Sequence, residues 1–91
     1  MGIELSELID MLAQNHEAEF MWNDMEYMIQ PVDDHIILYR SSPDLCDLCK
    51  ITLSGSNLVG EDIVRKLLNE KCFNGKSFIE LQNEITITVI R

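Results

Sequence analysis

The chain has 91 residues, 46% hydrophobic and 25% charged, which makes one globular domain over 1–91 and leaves no room for a second core. Its net charge of -9 sits in the front: the first 39 residues hold nine carboxylates and no lysine or arginine, while the remaining 52 hold seven acidic and seven basic residues. Such a one-signed region repels nucleic acid and anionic lipid and attracts basic partners. No apolar run approaches the length of a membrane span. The first basic side chain is Arg40, so neither a secretory n-region nor the arginines of a transit peptide are present. Three cysteines, an odd number in a chain of this kind, argue for reduced thiols rather than a disulfide framework. The expected setting is a bacterial or viral cytoplasm.

Residues 3–14 read as an amphipathic helix, with Leu5, Leu8, Ile9 and Leu12 on one stripe and Glu4 and Glu7 near its positive end. The segments 17–22 and 25–30 flank Asn23-Asp24, a dipeptide suited to a two-residue hairpin turn at positive φ. That register pairs Trp22 with Met25, Phe20 with Tyr27 and Ala18 with Ile29 on one apolar face. Glu17, Glu19, Met21, Glu26, Met28 and Gln30 fall on the other. Pro31 to Asp34 make a turn, and 35–40 form a third strand broken at Pro43. The stretch 45–53 has a fair helix start at Ser42-Pro43, yet its β-branched finish Ile51-Thr52 selects a fourth strand.

Ser54 to Gly60 are loop-forming, and Glu61-Asp62 open a second helix over 61–72 with Ile63, Val64, Leu67 and Leu68 buried. Asn74-Gly75 turn the chain, and Ser77 with Glu80 form the S-x-x-E of a capping box over a short helical turn. Residues 84–90 close the chain as a strand, with Ile85, Ile87 and Val89 expected inward against Thr86 and Thr88. The fold expected is α+β: an antiparallel sheet of four to five strands with two main helices packed on it.

Leu67-Leu68, the run Phe73 to Leu81 and Glu84-Ile85 resemble the tails of small uncharacterised bacterial α+β proteins. Those end in an "apolar-Asn/Asp-Gly-Lys-Ser-apolar-x-Glu" segment. The likeness covers about half the chain, with residues 41–60 looking like an insertion. It implies an α+β fold and carries no activity.

Several chemistries can be weighed against plain structural roles. Gly75-Lys76-Ser77 has the ending of a phosphate loop, but the motif's first glycine would fall at Glu70 and the segment follows a helix instead of a strand. Cys46 and Cys49 form a C-x-x-C pair whose only completers are Cys72, His16 and His35, short of a zinc tetrahedron with known spacing. In a regular strand two cysteines three apart face opposite sides of the sheet. His16 beside Glu17, and His35 after Asp33-Asp34, have no spacing-linked nucleophile. Asp33-Asp34 lack the alternating ligands and central glycine of a calcium loop.

The acidic hairpin face is the remaining candidate. Glu17, Glu19 and Glu26 with Met21 and Met28 combine charge with adaptable apolar contacts and have no basic neighbour in the local sequence. A helix over this face would instead make the methionines core. The expectation is a small acidic, non-catalytic interaction module without cofactor, such as an inhibitor, immunity protein or nucleic-acid mimic, binding a basic protein and neither nucleic acid nor membrane. The alternative is a small metal-binding protein using Cys46 and Cys49.

Overall fold

The computed structural model describes residues 1–53 and 60–91, so the expected loop from Ser54 lies, apart from Gly60, outside the described residues. Helix α1 (Leu5–Ala13) is followed by β1 (Ala18–Trp22), β2 (Met25–Val32), β3 (His35–Ser42) and β4 (Cys46–Thr52). Then come α2 (Glu61–Asn69) and β5 (Thr86–Ile90). The strands form one antiparallel sheet in the order β4-β3-β2-β1-β5. This is the α+β architecture expected, with the ambiguous stretch a strand.

The first hairpin has the register read from its sequence: Trp22 opposite Met25, Phe20 opposite Tyr27, Ala18 opposite Ile29. Asn23 and Asp24 take φ of 55° and 63°, the left-handed pair that matches a two-residue turn to strand twist. Phe20 stacks on Tyr27 at 5.2 Å and meets Phe78 edge-on at 5.1 Å, while Phe73 packs against both Trp22 and Tyr27 at 5.4 Å. Leu8, Ile9 and Leu12 of α1 and Val64, Leu67 and Leu68 of α2 join this cluster with Ile29, Ile36 and Leu38. Both helices therefore lie on one side of the sheet, the inner face.

Several element boundaries depart from expectation: β2 runs to Val32 and β3 to Ser42, so the turn expected over Pro31 to Asp34 is Asp33-Asp34 alone, Pro31 and Val32 being paired with Ile36 and His35. Helix α2 stops at Asn69, three residues before Cys72, because Glu70 turns to an extended ψ of 137°. That exit carries Phe73 into the aromatic cluster, and Asn69 caps from within by donating its Nδ2–H to the Arg65 carbonyl at 2.8 Å. Strand β5 begins at Thr86, and its pairing with β1 is irregular between Glu19 and Phe20. The irregularity breaks alternation, so Ile90 opposite Ala18 takes the inner place expected of Val89, which is 39% exposed. Strand β4 has a similar irregularity opposite Leu38 and Tyr39.

The tail is held by the reciprocal cap. The Ser77 N–H donates to Glu80 Oε1 at 3.0 Å and the Glu80 N–H to Ser77 Oγ at 3.2 Å, while Lys71 Nζ donates to Glu80 Oε1 at 2.6 Å. Asn74 and Gly75, at φ 53° and 86°, make the preceding tight turn between Phe73 and Lys76. Gly75-Lys76-Ser77 is thus a turn and a cap. Its geometry, a turn running into a single capped turn of backbone, has no strand feeding a helix N-terminus.

Candidate interaction surface

Because both helices occupy the inner face, the outer face of the sheet is uncovered by any described element. Its rows follow from the registers: Glu19 lies opposite Met28 and Met21 opposite Glu26. On the next pair Met28 lies opposite Tyr39 and Gln30 opposite Ile37; further out, Ile37 lies opposite Lys50 and Tyr39 opposite Asp47. Met21, Met28, Ile37 and Tyr39 are half-buried by their neighbours in the sheet, and none belongs to the core cluster. The two arrangements open to Met21 and Met28 in the sequence are decided here: they stand on the uncovered face.

A polar ribbon crosses this surface. The Tyr39 hydroxyl lies 2.9 Å from Met28 Sδ and donates toward Gln30 Oε1 at 3.3 Å, and Gln30 Nε2 donates to Glu17 Oε1 at 3.3 Å. Partial burial, with the Glu17 and Glu19 charges beside it, pushes the Tyr39 hydroxyl above its ordinary pKa, since each disfavours a phenolate.

Arg91 corrects one expectation. Glu17 and Glu19 have no basic neighbour in the local sequence, yet Arg91 pairs with both: Nη1 lies 3.6 Å from Glu17 Oε2, and Nη2 reaches Glu19 Oε2. Backbone bonds between Glu17 and Arg91 in both directions, at 3.0 and 2.9 Å, extend the β1–β5 ladder and fix the arginine there. Glu19 Oε2 is buried and finds no hydrogen-bond donor elsewhere among the described residues, so Arg91 is its compensation. The charges on this face that are in no ion pair among the described residues are therefore the carboxylates Glu26 and Asp47 and the single cation Lys50, all exposed. Pairing by a residue from the far end of the chain, together with Tyr39 and Ile37 of β3, is what the local sequence pattern does not bring to this face. The outward parity of β3 was the available signal.

The histidines are separate. His16 is exposed in the turn after α1, and His35 Nδ1 lies 3.1 Å from Asp34 Oδ1. That hydrogen bond is the main cause holding the Asp34 carboxyl below its ordinary pKa. The pair borders a cleft of about 370 Å³ between the β2–β3 turn, Asn15 and Leu53, in which no hydroxyl or thiol lines the described wall.

The cysteines depart from simple alternation. The β4 irregularity inserts a residue, so Cys46 opposite Arg40 and Cys49 opposite Leu38 share the inner face. Cys46 Sγ lies 3.9 Å from the Asp47 carbonyl, whereas the Cys49 thiol lies in the neighbourhood of that of Cys72. Among the described residues no three His, Cys, Asp or Glu side chains converge as a metal site.

No protein-family model matches this chain, and no solved structure matches it. A curated zingiberene synthase of Sorghum bicolor is 27% identical over 89 residues, 92% of this chain and 16% of that protein. The chain thus spans a small part of the length of the curated protein it resembles. No helix among the described residues is long and apolar enough to cross a membrane.

Proposed function

We propose that this protein is a non-catalytic interaction module whose outer sheet face binds a basic protein partner. The observation that carries the reading is that uncovered face, with Met21, Met28, Ile37 and Tyr39 in the middle and Glu17, Glu19, Glu26 and Asp47 around them. Five hydrogen-bonded strands hold these side chains in fixed rows, so little ordering is lost on binding. Methionines and a tyrosine supply adaptable apolar contact of the kind enriched at interfaces. The net charge of -9 supplies attraction to a cationic surface. An inhibitor or immunity role in a bacterial cytoplasm suits this chemistry, and three free thiols suit a reducing compartment.

The test compares wild type with Met28→Arg as baits in a bacterial lysate, with circular dichroism showing that the variant is folded. Basic proteins retained by the wild type and lost by Met28→Arg are the expected outcome. Identical retention by both baits, or retention of acidic proteins only, removes the outer face from the reading.

A further inference from the structure

The strongest cluster outside that surface is on the other side of the sheet. Cys49 comes from β4, an edge strand, and Cys72 from the segment behind α2, which itself packs on β4. Both side chains are half-buried against the same core, and Cys72 lines one cleft with Leu48, the residue before Cys49, so that each thiol lies in the other's electrostatic surroundings. That cleft, of about 120 Å³, is also lined by Arg40 and Trp22 and gives Cys72 a way out to solvent. Cys46, three residues before Cys49, points to the Asp47 carbonyl instead. The fold has therefore chosen one partner for Cys49 from two, and the more distant in sequence.

We propose that Cys49 and Cys72 are a redox modification site, closed by a small-molecule disulfide of the glutathione class into a reversible intrachain disulfide. One thiol, as its thiolate, attacks a sulfur of the oxidised reagent; the reagent's S–S bond breaks and a mixed disulfide forms as the first reduced thiol leaves. The second protein thiol loses its proton and attacks the protein sulfur of that adduct, forming Cys49–Cys72 and expelling the second reduced thiol. Two protein thiols are oxidised and one reagent disulfide is reduced.

The environment sets the pace. Burial raises the Cys49 thiol, and burial with the Cys49 sulfur alongside pushes Cys72 up to about 12. Thiolate is scarce at neutral pH, so the pair is slow to oxidise, and the rate climbs roughly tenfold per pH unit below the thiol pKa. Closure ties β4 to the far side of α2. A loop of this order stabilises chiefly by restricting the unfolded chain, which corresponds to a rise in Tm of roughly 10–20 °C for a domain this size.

The full chain is incubated with oxidised glutathione at pH 8.5 and read by intact mass and non-reducing peptide mapping. The expected product has lost two hydrogens, links Cys49 to Cys72, melts higher and reverts with dithiothreitol. Cys46→Ser closes as fast as wild type. Cys49→Ser and Cys72→Ser each stop at a glutathione adduct, with alanine at either position as the substitute if serine impairs folding. In denaturant the selectivity vanishes, and Cys46–Cys49 forms as well. A native product linking Cys46 to Cys49, linkage between chains, or a wild-type adduct that never resolves overturns the assignment.

Discussion

On β1 and β2 adjacent residues meet opposite surroundings. Phe20 and Tyr27, 1% and 3% exposed, stack in an aromatic cluster that both helices help to enclose. Glu19 and Met28, one position away, stand on a face that no described element covers. The inner face is held by dispersion and apolar burial, which grow with the number of neighbours and are not subject to charge screening. The outer face is held by a few hydrogen bonds and one arginine, which water and salt screen. Fold and function thus divide between the faces, and substitutions of similar size should have very unequal effects on the two.

The largest expected effect is Phe20→Ala, which removes a ring in contact with Tyr27, Phe73 and Phe78. It should cost about 3–5 kcal/mol in urea denaturation, a large share of a typical domain's stability. Ile37→Ala, also on a central strand but facing outward, should cost under about 1 kcal/mol. Equal losses at the two positions would mean that the outer face is covered in solution.

The reciprocal cap is the intermediate case, since it sets Phe78 against Phe20. Ser77→Ala should cost about 0.5–2 kcal/mol, as caps do, because Ser77 is buried and the Glu80 N–H loses its acceptor. Glu80 gives the pH signature. The hydrogen bond from Lys71, followed by that from the Ser77 N–H, holds its pKa below the ordinary glutamate value. A depressed carboxylate adds stability that is present above its unfolded pKa and lost as pH falls through the folded one. Wild type should therefore lose stability in that acid window more steeply than Glu80→Gln. Parallel stability curves would remove the cap from the account.

Arg91→Gln comes next. It takes the only described compensation from Glu19 Oε2 and one partner from Glu17. These groups are about a third to a half exposed, so the loss should be about 0.5–1 kcal/mol and should shrink in high salt. A loss independent of salt would show that Arg91 acts through its backbone pairing with Glu17.

What was legible in the chain follows the same division. The hairpin register, the helix stripes and the Ser77–Glu80 cap are local patterns, set by residues a few positions apart, and all stand where alternation and spacing put them. Misreadings cluster on the edge strands. Strict alternation turns Val89 inward and sets Cys46 and Cys49 on opposite faces, and irregularities in β5 and β4 reverse the parity at each. An added residue in an edge strand is decided by pairing geometry with the neighbouring strand, which leaves no local sequence mark. The pairing of Arg91 with Glu17 and Glu19 is invisible for a related reason, because only the closing of β5 on β1 brings residues so far apart together.

The smallest effect on stability should come from the double substitution Glu26→Gln with Asp47→Asn, and it bears directly on function. Both carboxylates are exposed and make no described ion pair, so removing them breaks nothing and relieves repulsion in a chain of net charge -9. The denaturation midpoint should stay within about 0.5 kcal/mol of wild type. Association with a captured basic partner should behave differently. Exposed charges steer an encounter over about 8 Å at physiological salt and act mainly on the on-rate, with little change in how long the complex lasts. Stopped-flow mixing across a salt series should show slower association for the double variant, an unchanged dissociation rate and a shallower dependence on salt. Glu17→Gln with Glu19→Gln removes the same formal charge but strands Arg91, so that variant should pay in stability as well. If the Glu26/Asp47 variant keeps the wild-type salt slope, the free charges of the outer face do not guide the partner, and the acidic surface serves only to keep the protein in solution.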